Sequence, residues 1–143
     1  MSGFISRKKE FQAAAEEQII KALEMCGIVA EGYAKDKCPV DSGLLRNSIT
    51  YARSGESTAI SSYSSNDGEK VGTYSGIAEQ TTSPAVFIGT NVEYAPYVEL
   101  GTGSFYQGGT PSIPGQKAQP YLKPAVADHA DEYKRIIKDV LKG

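Results

Sequence analysis

Apolar residues recur at spacings of three and four along the first part of the chain: Phe11, Ala15, Ile19, Ala22, Cys26, Val29 and Tyr33. Such spacing is one face of a helix and predicts one from about Ser6 to Asp36. Leu23 and Ala30 widen the stripe, while Lys8, Lys9, Glu16, Glu17, Lys21 and Glu31 fall mostly on the other side. The stripe reads as a core contact and the charges as a solvated face. Gly27 lies inside the pattern, where glycine costs about 1 kcal/mol relative to alanine, so it points to a bend or a close crossing. The helix should end before Cys38-Pro39, because a residue preceding proline disfavours the α region. A second stripe, Val126, Ala130, Tyr133, Ile137 and Val140, predicts a helix from about Tyr121 or Pro124 to Leu141. Lys134, Arg135 and Lys138 sit near its carboxyl end, where cations suit the helix dipole. The two helices are expected to pack their stripes on one sheet face and on each other.

Between them the pattern shortens. Pro39 and Gly43 make a turn in which Asp41 or Ser42 bonds back to the backbone. Leu44 and Leu45 then drop into the core, and Ile49, Tyr51 and Arg53 mark one side of an alternating strand. Residues 54–84 are dominated by Ser, Gly, Thr, Asn and Asp. Thr58–Tyr63 and Val71–Ile77 read as arms of a polar hairpin turning at Ser65-Asn66-Asp67-Gly68 and projecting from the domain. A flexible linker has the same composition. Ala85–Gly89 is the clearest strand, with Val86 and Ile88 on one face and Phe87 on the other.

The stretch Tyr94–Thr102 packs two tyrosines, a proline, a carboxylate and a glycine together. Pro96 suits the first turn of a helix, and Gly101 can close one in the left-handed conformation. Tyr97, Val98 and Leu100 are expected on the sheet, with Glu99 pointing elsewhere. By its local chemistry the segment is a capped connector helix whose tyrosines are core. From Gly103 to Ala118 a long loop follows, in which Gly108, Gly109, Pro111, Pro114 and Gly115 argue against regular structure. Phe105, Tyr106 and Ile113 are the apolar residues of that loop.

A length of 143 residues fits one domain, residues 1–143, with a core that needs no staples. The formal net charge of −2 and a pI near 5.4 give no general basic field for nucleic acid. Two cysteines, Cys26 and Cys38, make no disulfide framework, so a reducing compartment is expected, with Cys26 a small buried apolar side chain. No apolar run approaches a membrane span and no signal peptide is evident, which points to assembly in a cytoplasm and to no membrane partner.

Catalytic constellations are scarce. His129 is the single histidine, reads as a helix-surface residue and cannot supply an imidazole-rich metal site. Cys26 and His129 form a nucleophile pair only if the fold joins them, and no oxyanion-hole motif accompanies them. Asp41-Ser42 reads as a turn rather than a reactive pair. Gly101-Thr102-Gly103 lacks the strand before it and the later glycine of a dinucleotide loop. Glu16 and Glu17 diverge on a helix. No catalytic residue, cofactor or metal is expected.

Three segments taken in order are more specific: Pro39-Val40-Asp41-Ser42-Gly43-Leu44-Leu45-Arg46-Asn47-Ser48-Ile49, Tyr94-Ala95-Pro96-Tyr97-Val98-Glu99-Leu100-Gly101-Thr102 and Gln119-Pro120-Tyr121-Leu122-Lys123-Pro124-Ala125. Together they resemble the head–tail joining family of tailed bacteriophages and prophages, the minor tail, neck or tail-completion components. The resemblance runs from about residue 5 to the C-terminus. It implies an α+β fold, with a long N-terminal and a C-terminal helix on a mainly antiparallel sheet. Its motif positions are Asp41, Gly43, Leu44, Ser48, Tyr94, Ala95, Tyr97, Glu99, Gly101, Thr102, Pro120, Leu122 and Pro124. It also implies a non-enzymatic role in the virion, at the junction of head connector and tail tube, as a ring of copies around a DNA channel. DNA then passes through without specific binding. A tail-terminator or connector-stopper protein is the structural alternative; a small hydrolase and a nucleic-acid-binding module are the alternatives of other classes. In a ring, each copy grips the next with a different surface, and Phe105, Tyr106 and Ile113 are expected in that interface, on a loop that orders on assembly.

Overall fold

The computed structural model describes the backbone of residues 2–101, 105–107, 110–113 and 117–142, and the side chains of residues 15–101 and 117–142. The chain runs through α1 (Ser2–Lys37), α2 (Leu44–Ser48), β1 (Thr50–Arg53), β2 (Ser62–Ser64), β3 (Val71–Thr73) and β4 (Val86–Gly89). It continues through α3 (Ala95–Leu100), β5 (Phe105–Gln107), β6 (Thr110–Ile113), α4 (Leu122–Ala127) and α5 (Ala130–Lys142). The fold is α+β. Among the described residues its strands pair antiparallel as three two-stranded ladders, β1–β4, β2–β3 and β5–β6, in place of one mainly antiparallel sheet.

Helix α1 is the central element, packed against β1 and β4 and against α4 and α5. Gly27 marks its crossing of the strands. A Cβ there would stand 2.8 Å from Val86 Cγ2 and 3.1 Å from the Tyr51 ring. Tyr51 and Arg53 pair with Ile88 and Val86, so these four share the face turned to α1. Of the expected stripe on α1, Ala22 and Cys26 are buried, Ile19, Val29 and Tyr33 are half-buried and Ala15 is exposed. The side chain of Phe11 lies outside the described residues.

Tyr51 and Arg53 share one side of β1 as expected, half-buried against α1, but Ile49 belongs to the end of α2, and Thr50 and Ala52 are the buried positions on the strand's other side. Leu45 and Ile49 enter the core while Leu44 packs beside it, half-buried. The polar hairpin exists but is shorter than its predicted arms, with Ser62, Tyr63 and Ser64 opposite Thr73, Gly72 and Val71. Gly68 takes φ 77° in its turn, a value disfavoured for residues with a Cβ.

The C-terminal helix is divided. Asp128 N–H donates to the Pro124 carbonyl as α4 ends, and α5 starts at Ala130. Two docking tasks divide it: α4 carries Ala125 into the core behind the buried Tyr121, whereas α5 lies along α1. Val126 and Ala130 are consequently exposed, and Tyr133, Ile136, Ile137 and Val140 form the half-buried face.

The α1–α5 seam is polar at one end. Tyr33 O–H donates to Glu132 Oε2 at 2.5 Å, and the His129 ring stacks on Tyr33 with centroids 3.5 Å apart. His129 is therefore a half-buried seam residue rather than a surface one. Tyr133 O–H donates to the Ala125 carbonyl, and Cys26 Sγ–H points to the Tyr133 carbonyl at 3.7 Å.

Ala34, Cys38, Leu45, Ile49, Val92, Ala95, Tyr121 and Ala125 make the core. Burial pushes the Cys38 thiol up to about 11 and raises that of Cys26 as well. The glycine- and proline-rich stretch after α3 also departs from expectation, since β5 and β6 pair within it. Pro111 sits in β6 opposite Tyr106, beside a register shift, the irregular setting in which a strand tolerates proline.

Candidate assembly site

Residues from the three sequence motifs converge on one end of the core. The first motif is the loop into α2. Gly43 stands at φ 83°, in the left-handed region, and a Cβ there would collide with the Asn66 amide. Ser42 Oγ accepts the Leu44 N–H at 3.3 Å, so the serine closes a turn. Asp41 is exposed, and among the described residues its carboxylate has no hydrogen-bond or ion-pair partner. Asn47 Nδ2 donates to the Ser64 carbonyl at 2.8 Å, and Asn66 N–H donates to the Ser42 carbonyl at 2.7 Å. These bonds hold the β2–β3 hairpin down on the loop. Buried Ser48 Oγ donates to the Leu45 carbonyl, its own carbonyl accepts from Tyr74 Oη, and Tyr63 Oη bonds to Asn91. The hairpin expected to project is docked through both of its tyrosines.

The second motif forms α3, with Pro96 in the first turn and Ala95 buried. Gly101 closes the helix at φ 74°, ψ 174°. That is not the left-handed helical conformation of the expectation, although positive φ still favours glycine there. Val98 packs on the core as expected, but its neighbours depart from their expected roles. Tyr94 is 43% exposed, Tyr97 58% and Leu100 77%, so the tyrosines are not core. Glu99 points inward to the third motif.

Its carboxylate accepts three consecutive backbone N–H groups. Tyr121 and Leu122 donate to Oε2 at 2.7 and 3.0 Å, and Lys123 donates to Oε1 at 2.9 Å. These are amides of the first turn of α4, which have no partner inside their own helix. A carboxylate in this place satisfies them and complements the positive end of the helix. Gln119 N–H donates to the Val98 carbonyl at 2.8 Å, tying the incoming chain to α3. Tyr121 fills the space below, fully buried, and its burial raises its hydroxyl pKa. Leu122 packs on the core, Pro124 is half-buried and Pro120 is exposed.

The result is a hydrogen-bonded corner with an apolar rim. A cleft of about 370 Å³ lies between the first and second motifs, with Val40, Tyr94 and Tyr97 exposed around it. Asp41 and Lys70 also face it. Thr102 lies outside the described residues, as do the side chains of Phe105, Tyr106 and Ile113, whose backbone belongs to β5 and β6. Among the described residues no three of the His, Cys, Asp and Glu side chains come together as a metal site.

Two features escaped the sequence reading. Nothing in the spacing of Glu99 and Tyr121 announces a cap that crosses between helices. A carboxylate in a short, otherwise apolar helical segment is the one local sign of it. The docking of the hairpin through Asn47, Asn66 and Asn91 likewise rests on long-range bonds that local chemistry does not encode.

No curated protein and no solved structure matches the chain. A family described as "Bacteriophage HK97-gp10, putative tail-component" matches residues 2–101. That span covers more than two thirds of the chain and takes in α1, the first motif and all of α3. The third motif lies beyond it, fastened to it by Glu99. The chain belongs to the HK97-gp10-like family of bacteriophage tail components.

Proposed function

We propose that this tail component is a non-enzymatic structural protein acting where the head connector meets the tail tube, as one copy in a ring around the DNA channel. Membership of a tail-component family supports a structural role in the virion. The observation that carries the reading further is how the motif residues are used. Gly43, Ser48, Ala95 and Glu99 fasten the corner, whereas Val40, Tyr94 and Tyr97 stand exposed on it. Large apolar side chains on a rigid frame are what a repeated protein contact uses, because little ordering free energy is lost when they are covered. Partners under this reading are further copies of the chain, the tail tube, the tail-terminator protein and the connector. The acidic net charge leaves DNA free to pass. We include the segment with Phe105, Tyr106 and Ile113 in the same contact surface.

Electron microscopy of particles made without this protein tests the assignment. Filled heads and complete but unattached tails are the expected products. Tails of uncontrolled length would instead indicate a tail-terminator, and heads that leak DNA a connector-stopper. Normal infectious particles would refute a role in the virion.

A further inference from the structure

We propose that the solvent side of α1 is a self-association face on which a second copy of this chain lies antiparallel, about a two-fold axis beside Ile28. Lys21, Met25, Ile28, Gly32 and Asp36 follow one another at spacings of four, three, four and four, which places them on one face of the helix. That face is turned from the strands and from α5, which are met by Gly27 and Cys26. All five residues are exposed. Met25 and Ile28 keep 42% and 51% of their surface in water, whereas Ile19, Ile20, Leu23 and Val29 of the same helix are half-buried and Ala22, Cys26, Ala30 and Ala34 are buried.

Gly32 gives the second observation. Gly27 is required inside the chain, because a Cβ there would strike Val86, but at Gly32 a Cβ would find nothing within 4 Å. Glycine is among the poorest helix formers, and nothing among the described residues needs the missing side chain at Gly32. Two helices approach most closely where one of them lacks a Cβ.

The order of residues then selects the occupant. Two antiparallel copies paired about the middle of the stripe bring Met25 of each over Gly32 of the other, a large side chain into the one gap. The same register sets Lys21 of each copy beside Asp36 of the other, so both ends carry opposite charges, while Ile28 meets its own counterpart. Lys35, next to this face, is already paired with Glu31 of its own helix at 3.7 Å. A face that complements itself in charge, size and hydrophobicity under a two-fold rotation fits a second copy of the same chain. This contact closes a pair and is independent of the head-to-tail contacts of a ring.

Sedimentation of the full chain across about 10 to 500 µM is the test, a range that spans micromolar to sub-millimolar dimer affinity. The wild type is expected as a concentration-dependent dimer. Gly32→Leu is expected to melt at a higher temperature, since a helix glycine is removed, and yet to be monomeric, since the close approach is blocked. Ile28→Glu should be monomeric with an unchanged circular dichroism spectrum. Lys21→Asp should weaken the dimer roughly tenfold through its two symmetry-related pairs, and Lys21→Asp with Asp36→Lys should restore it. A monomeric wild type throughout the range, a Gly32→Leu dimer as tight as wild type, or a double reversal no tighter than Lys21→Asp would each overturn the proposal.

Discussion

The Tyr121 backbone N–H lies 2.7 Å from the Glu99 carboxylate, and this bond joins the end of α3 to the start of α4 across the core corner. Leu122 and Lys123 donate to the same carboxylate, so one side chain serves as the N-terminal cap of a helix it does not belong to.

Glu99→Ala should therefore cost about 1.5–3 kcal/mol of stability, the usual range for bonds to a charged acceptor. Glu99→Gln retains an acceptor oxygen and should cost less. Urea denaturation of both variants measures the two values. A loss under about 0.5 kcal/mol in Glu99→Ala, within the range of ordinary surface substitutions, would show that water replaces the cap.

Two glycines of the same helix should respond oppositely to alanine. Gly27→Ala places a Cβ 2.8 Å from Val86 and 3.1 Å from Tyr51, and overpacking of this kind costs about 1–3 kcal/mol. Gly32→Ala meets no atom and should gain up to about 1 kcal/mol in helix propensity. Thermal melts of dilute protein compare them directly; a Gly27→Ala variant as stable as Gly32→Ala would refute the close crossing.

Alkaline pH should unfold the protein through its tyrosines. Burial pushes the Tyr133 hydroxyl from its ordinary value of 10.0 to about 12, with the nearby Glu132 carboxylate adding to the rise. A group whose pKa is raised by folding stabilises the fold while it stays protonated in both states. That contribution is complete below pH 10 and is lost as pH climbs from about 10 towards 12. Tyr133→Phe loses the bond to the Ala125 carbonyl and starts lower, but its stability should fall less steeply across that window. Equal slopes for the two proteins would remove Tyr133 as the cause.

Replacing the exposed rim should separate folding from assembly. Tyr94→Ser with Tyr97→Ser changes side chains that are 43% and 58% exposed, so stability should stay within about 1 kcal/mol of wild type. Joining of heads to tails should fail in a phage carrying the pair. Phe105→Ser with Tyr106→Ser is expected to act likewise, with an unchanged melting temperature and impaired attachment. Full infectivity of both double variants would exclude these surfaces from assembly.

Periodicity and turn chemistry are local, and what they control was legible in the chain. The spacing from Ile19 to Tyr33 sets the face by which α1 is buried. Pro39 and Gly43 fix a turn through backbone sterics, Asp67-Gly68 places the hairpin turn, and the run Val86–Ile88 makes a strand. The family match over residues 2–101 takes in the first motif and all but the last residue of the second.

What depends on a partner distant in sequence needed the tertiary structure. Whether Tyr97 is core or rim turns on what α3 packs against, and α3 offers its Ala95 and Val98 side to the core. Glu99 is polar in any context, but it becomes a cap only because the chain returns 22 residues later with three unpaired amides. The division of the last helix at Asp128 follows from two docking surfaces, which an uninterrupted helical pattern cannot reveal. Gly27 and Gly32 look alike in sequence, and only the crossing strand distinguishes them: a Cβ strikes Val86 at one and meets open solvent at the other.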